Sequence, residues 1–177
     1  METQTEYLEC AIIGGGLAGL CLAIQLAENG TSVALFEKQQ YPFHKVCGEY
    51  ISMESWPFLE GLGVPLSEMN LPAIKQLGIS SERGFMLEHR LGMGGFGISR
   101  YTLDHALAEL AARKGVQVIQ ECRVTDVQGN ASRGFRLRTA TGEFMAKVVC
   151  GSYGKYTPQF VRLDESHATP ANNQNYI

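Results

Sequence analysis

Tyr7-Leu8-Glu9-Cys10-Ala11-Ile12-Ile13-Gly14-Gly15-Gly16-Leu17-Ala18-Gly19 opens the stretch whose reading decides the fold, and Ser32-Val33-Ala34-Leu35-Phe36-Glu37 closes it. The first seven residues form a short apolar run that ends on three glycines, as a buried parallel strand does where it enters a tight turn. Leu17, Leu20, Ile24 and Ala27 then recur at helical spacing. Asn29-Gly30 supplies the residues that end such a helix, and Ser32 to Phe36 reads as a second buried strand. Strand, glycine turn, helix and strand make a βαβ unit.

Within that unit each glycine has its own task. Gly14 permits the sharp turn, Gly16 lets the backbone approach a pyrophosphate with no Cβ in the way, and Gly19 allows the helix to pack closely on the strand. Leu17 and Ala18 open the helix, whose unpaired N–H groups and positive dipole end attract a diphosphate. Glu37, at the tip of the second strand, is placed to accept hydrogen bonds from the ribose hydroxyls of an adenosine. An acid there disfavours a 2′-phosphate, so the expected nucleotide is FAD or NAD and not NADP. A glycine triplet alone would say little; its position between a strand and a helix, with the acid following, gives it weight.

Outward from this unit, Lys38 to Ile51 is polar, contains Pro42 and shows no period, which predicts a long ordered loop. Ser52 to Leu62 reads as a short helix, and Ile74 to Ser99 as strand-like pieces broken by Gly84, Gly92, Gly94, Gly95 and Gly97. Arg100 to Lys114 predicts a helix with Leu103, Leu107, Leu110 and Ala111 on one face and Gly115 as its stop. Val116 to Ile119 follows as a parallel strand. Arg123 to Val127, Gly134 to Thr139 and Glu143 to Val149 then predict an antiparallel meander with turns at Gly129-Asn130 and Thr141-Gly142. The fold class expected is α/β: a Rossmann-like, three-layer domain with a parallel sheet, crossover helices and a β-meander.

Composition narrows the function classes. The chain of 177 residues has an apolar fraction of 45% and a net charge of −3, which suits one globular domain with a proper core. The 15 basic and 18 acidic residues form no basic run, so nucleic acid is not an expected partner. Cys10, Cys21, Cys47, Cys122 and Cys150 are odd in number and scattered, which suits a reducing cytoplasm and gives no metal-ligand spacing. His44, His89, His105 and His167 give none either, and no metal site is expected. Cys10 to Ala27 is nearly free of charge, but its glycines and the acids before it argue for a buried strand and helix instead of a transmembrane segment. Trp56, Phe58 and Leu59 are expected in the core; exposed, they would instead form a lipid-facing patch and a peripheral membrane contact.

Further blocks carry a resemblance. Gly14 to Gly19, Glu37-Lys38 and Pro42-Phe43-His44-Lys45-Val46-Cys47-Gly48-Glu49, followed by Arg100-Tyr101-Thr102-Leu103-Asp104-His105-Ala106-Leu107, resemble the geranylgeranyl reductase and aromatic-hydroxylase superfamily of FAD enzymes. That resemblance implies that the block holding Lys45, Val46, Cys47 and Gly48 lies along the flavin, that Arg100 reaches the cofactor, and that the backbone near Val124 faces the adenine. Read on chemistry alone, alternatives stay open. Lys45 either meets a phosphate or lies on a solvated loop, Cys47 either borders the isoalloxazine or is a small buried residue, and Arg100 either meets the cofactor or pairs with an acid. Gly151-Ser152-Tyr153-Gly154-Lys155-Tyr156-Thr157 departs from the family's Gly-Ala-Asp-Gly pattern at Ser152-Tyr153, which weakens any pyridine-nucleotide role carried over from it.

The expected function is therefore an FAD-dependent oxidoreductase, a reductase or a monooxygenase. An NAD-binding dehydrogenase domain and a non-catalytic nucleotide-binding module are the alternatives. A prenyl or aromatic small-molecule substrate is implied, with NAD(P)H as a candidate electron donor. Halogenation ranks lower because no Trp-rich active-site motif is present. Residues 1–163 are expected to form the FAD-binding domain, incomplete because family members run on through a Gly-Asp-Ala segment and a substrate domain. Residues 164–177 form a polar segment leading to that remainder, and no catalytic residue is assigned.

Overall fold

The computed structural model of the protein describes residues 7–155 together with Pro158 and Phe160. Tyr156, Thr157 and the expected polar segment 164–177 lie outside the described residues. The chain begins with β1 (Tyr7–Ile13), α1 (Leu17–Glu28) and β2 (Val33–Phe36), the βαβ unit read from the sequence. Next come β3 (Tyr50–Ser52), a 3₁₀ turn at Met53–Ser55, α2 (Trp56–Leu62), a second 3₁₀ turn at Leu66–Glu68, and the pair β4 (Ala73–Ser80) and β5 (Met86–Gly97). The chain continues through α3 (Arg100–Arg113), β6 (Gln117–Ile119), β7 (Val124–Asn130), β8 (Gly134–Thr139) and β9 (Glu143–Gly151).

Among the described residues, nine strands make two sheets. The larger has the order β6-β2-β1-β9-β8-β7. β1 pairs in parallel with both β2 and β9, and β2 pairs in parallel with β6, while β7, β8 and β9 run antiparallel as the meander. The α/β Rossmann-like arrangement expected from the sequence is the one observed. Central β2 and the last four residues of β1, Cys10 to Ile13, read as unbroken apolar runs because they are covered on both sides. On one side Ile12, Leu35, Leu20, Ile24, Leu103 and Leu107, all fully buried, join the strands to α1 and α3. On the other Ala11, Ala34, Phe36, Leu137 and Ala146 form a second core with the meander, where the Phe36 and Phe144 rings meet edge to face at 4.9 Å. Ordered burial on two faces leaves the strand ends and the helix start as the open edge of the domain.

Several local expectations change. The region 74–99 is broken only at Gly84, in the turn between β4 and β5; Gly92, Gly94, Gly95 and Gly97 lie inside one twelve-residue strand, β5, paired with β4 and β3 in a three-stranded sheet. Gly94 takes φ +73° opposite a register shift between Ile74 and Gln76, and a Cβ on Gly95 would strike the Tyr50 ring. A bulge and a close crossing, not a chain break, account for these glycines. The loop from 38 ends two residues early, where Tyr50 enters β3. Gly129-Asn130 belongs to β7, and the turn falls at 131–133, where the Asn130 carboxamide oxygen accepts from the Ser132 and Arg133 amides at 3.1 and 3.0 Å. Leu59 is buried and Trp56 packs edge-on against Phe96 at 4.9 Å, but Phe58 stands outside the expected core, 47% exposed. Among the described residues, no helix is long and apolar enough to cross a membrane.

Candidate functional site

A cleft of about 1070 Å³ lies at the carboxyl ends of β1 and β2 and the start of α1. Open α/β sheets place ligand crevices there because the chain leaves the strands in diverging directions. Gly14, Gly16, Leu17, Ala18, Glu37, Lys38, Lys45, Arg100 and Val124, all named from the sequence, line it. Ile13, Phe43, His44, Cys122, Arg123, Ser152 and Tyr153 join them.

The glycine turn is fixed from three sides. Gly14 adopts φ +109°, and a Cβ there would lie 2.5 Å from the Ser152 carbonyl oxygen. The Ser152 hydroxyl donates to the Gly14 carbonyl, and its amide donates to the Ile13 carbonyl at 2.8 Å. Gly15 donates its N–H to the Glu37 carboxylate at 2.9 Å and accepts from the Tyr41 hydroxyl through its carbonyl. Gly19 packs so tightly that a Cβ would come within 2.1 Å of the Gly14 carbonyl oxygen. Gly19 is absent from the cleft lining, in keeping with a packing task.

Gly16 differs from its neighbours. Its backbone is extended, φ −84° and ψ −175°, which any residue adopts. A Cβ on it would meet only Arg100 Nη2 at 3.7 Å and Lys45 Nζ at 3.8 Å. Folding therefore places little demand for glycine here, and the space above Gly16 opens toward two cations. Among the described residues, no side chain caps the N-terminus of α1, and its first turn holds no acid. By contrast the Ser99 hydroxyl accepts from Thr102 N–H at 3.1 Å and caps α3. The uncapped end of α1 faces the cleft, and its spare amides suit an anion.

Glu37 is 6% exposed and borders the cleft. Its carboxylate already accepts from Gly15 N–H at 2.9 Å and Gln39 N–H at 3.0 Å, so it holds the turn as well as offering spare lone pairs outward. Lys45 and Arg100 converge on a carboxylate to which the sequence reading gave no role. Asp104, 2% exposed, accepts from Arg100 Nε at 2.7 Å, Arg100 Nη2 at 2.8 Å and Lys45 Nζ at 3.1 Å. Its hydrogen bond raises the Arg100 pKa further above the ordinary guanidinium range. Lys45 also lies 4.5 Å above the Phe43 ring, a cation–π contact. Burial, and then the nearby Glu37 and Asp104 charges, push the Tyr41 hydroxyl pKa up, so it stays a donor to Gly15.

Val46, Cys47 and Gly48 stand apart from this cluster. They are exposed and absent from the cleft lining, so the alternative of a small buried Cys47 is not what the fold provides. The residues missed by sequence reading, Asp104, Tyr41 and Ser152, act through contacts made far along the chain. For Asp104 alone a signal existed, its spacing of four from Arg100 on one helix face.

Comparison with known proteins places this geometry. A family model described as "NAD(P)-binding Rossmann-like domain" matches residues 12–46. Kynurenine 3-monooxygenase of Flavobacterium johnsoniae is 28% identical over 68% of the chain and 29% of its own length. Digeranylgeranylglycerophospholipid reductase of Methanosarcina acetivorans is 28% identical over 84% of the chain and 38% of its own. The solved myxobacterial chondrochloren halogenase, described as a new variant of FAD-dependent halogenases, superposes with a TM-score of 0.70 at 25% identity, over 86% of this chain and 38% of that one. This halogenase stands beside a monooxygenase and a reductase among the proteins the chain is similar to. The chain spans less than half the length of the curated relatives it matches. The resemblance read from the motifs thus holds across most of the chain: in sequence and fold it is similar to the Rossmann-like part of FAD-dependent oxidoreductases, of reductase, monooxygenase and halogenase type.

Proposed function

We propose that this chain is the nucleotide-holding part of an FAD-dependent oxidoreductase and that it binds the ADP half of FAD across the mouth of α1. The observation that carries the reading is the contrast among the glycines. Gly14, Gly15 and Gly19 are filled by the protein's own atoms, whereas Gly16 is left open beneath Lys45 and Arg100. A glycine that folding leaves unfilled, beside an uncapped helix end and two cations, fits a diphosphate. The cleft, about 1070 Å³, has room for a dinucleotide by the usual scale of ligand pockets.

In this reading the Gly16, Leu17 and Ala18 amides and the outward donors of Lys45 and Arg100 hold the diphosphate. Glu37 takes a ribose hydroxyl, with Lys38 beside it, and the backbone near Val124 borders the adenine. The loop carrying Val46, Cys47 and Gly48 lies toward the flavin end. When bound, the flavin supplies hydride or oxygen chemistry, and the protein's part is to orient it and exclude water. A prenyl or aromatic substrate belongs to the same proposal, supported by the activities named for the relatives, and an NAD(P)H donor is proposed with it.

The "NAD(P)-binding" description of the model matching residues 12–46 favours a second reading, a nicotinamide-nucleotide domain. Titration of the purified chain with FAD, ADP and NAD separates them. The proposal expects FAD and ADP to bind and FAD to bind tighter; NAD binding in preference to FAD would overturn it.

A further inference from the structure

A carboxylate buried to the extent of Asp104 is costly to hold in the fold unless it is fully paired. Here it is shared by two cations from different elements, Lys45 from the loop after β2 and Arg100 from the first turn of α3. Arg100 engages it through a two-pronged fork, Nε to Oδ1 at 2.7 Å and Nη2 to Oδ2 at 2.8 Å, and Lys45 Nζ reaches the same Oδ2 at 3.1 Å. The fork fixes the guanidinium plane, and both cations keep N–H donors that Asp104 does not use. One anion against two cations leaves one net positive charge. Arg100 Nη2 and Lys45 Nζ both lie within 4 Å of the point a Gly16 Cβ would occupy. Without the carboxylate, the two cations would repel each other and Lys45 would lose the charged partner that holds it beside the Phe43 ring. An arginine in the first helical turn also opposes the helix dipole, so its placement needs this partner.

We infer that Asp104 is a positioning residue for the diphosphate: touching no ligand itself, it holds Lys45 and Arg100 so that their remaining donors converge over Gly16. The inference rests on the nucleotide reading of the cleft. Replacing Asp104 has two effects of opposite sign. It frees a positive charge, which attracts an anion at low salt, and it releases the alignment, which weakens binding at any salt. At about 1 M salt the Debye length falls to ~3 Å and the first effect is screened, leaving the second.

The test titrates the whole chain with ADP and with adenosine, which lacks the diphosphate, at about 1 M salt. For Asp104→Asn, ADP affinity falls by about tenfold or more, the scale of a misaligned charged hydrogen bond, and adenosine affinity holds. Asp104→Glu keeps the charge and shifts the anchor by one methylene, so it gives an ADP-selective loss that answers the question even if Asp104→Asn does not fold, while Arg100→Lys, which loses the fork and a direct donor together, serves as the partner variant. The double variant binds ADP no worse than the weaker single one, since the pair acts as a unit. Unchanged ADP affinity, or equal losses for ADP and adenosine, would show that Asp104 serves the fold alone and would overturn the inference. A wild-type chain that binds neither ADP nor FAD removes the nucleotide reading and this inference with it. Wild-type binding beside an unaffected Asp104→Asn removes the inference alone.

Discussion

Replacing Gly16 with alanine puts the diphosphate reading at risk in one measurement, because the structure predicts opposite outcomes for folding and for binding. The new Cβ would have its nearest atoms at 3.7 Å, Arg100 Nη2, and 3.8 Å, Lys45 Nζ, ordinary contacts that require no shift. The backbone at φ −84° is open to alanine. Loss of glycine's unfolded-state freedom stabilises by about 0.4–1 kcal/mol, and alanine at an N-cap costs a similar amount, so the net change is within about 1 kcal/mol. A phosphate oxygen, however, must approach the Gly16 backbone through the space the methyl group fills. Loss of hydrogen bonds to a charged group amounts to about 1.5–3 kcal/mol, or roughly tenfold to a hundredfold in Kd. Calorimetric ADP titration beside urea unfolding reads both quantities. Gly19→Ala is the control: its Cβ would lie 2.1 Å from the Gly14 carbonyl oxygen, so stability and binding fall together. If Gly16→Ala binds ADP as the wild type does, or unfolds as Gly19→Ala does, the assignment of that open space to a diphosphate is wrong.

Other expectations are simpler. Leu107→Ala empties a fully buried position between α3 and the sheet and lowers urea stability by about 2–5 kcal/mol, whereas Phe58→Ala, at a half-exposed site, changes it by about 0.5 kcal/mol or less. Cys47 is exposed while Cys10 and Cys122 are buried, so maleimide modifies Cys47 first; ADP leaves that rate unchanged, and FAD slows it if the flavin end reaches the loop. Burial, together with the Cys150 sulfur 3.9 Å away, pushes the Cys10 thiol up from 9.0 to about 12. The folded state therefore keeps a proton that the unfolded chain releases, and this contribution to stability is full below pH 9.0 and lost as pH rises toward about 12. Cys10→Ala should flatten the fall in Tm above pH 9, and an unchanged slope would refute the assignment.

Much of the central architecture was legible because it is written locally. Strand β2 and the buried end of β1 sit in unbroken apolar runs, and α3 shows a leucine face closed by Gly115 at φ +89°. The glycines of β5 misled for a local reason of their own: composition marks a break, but a bulge at Gly94 and the Tyr50 ring over Gly95 need small residues inside a strand. The Asn130 turn moved because the side chain, not the Gly129-Asn130 pair, closes it.

At the site the division is sharper. The sequence by itself determined the strand, glycine turn and helix, and with them an N-terminus aimed at an anion, because helix direction and the room left by a missing Cβ are properties of neighbouring residues. It placed Lys45 and Arg100 in motifs but left open whether they meet a ligand or an acid. Only the tertiary structure decided that both share Asp104, that Tyr41 and Glu37 hold Gly15 from either side, and that Ser152 closes the turn from β9. It also set Val46, Cys47 and Gly48 outside the cleft lining. These are meetings of residues up to 139 positions apart, and chain spacing carries no information about which distant side chains a folded sheet brings within hydrogen-bond reach.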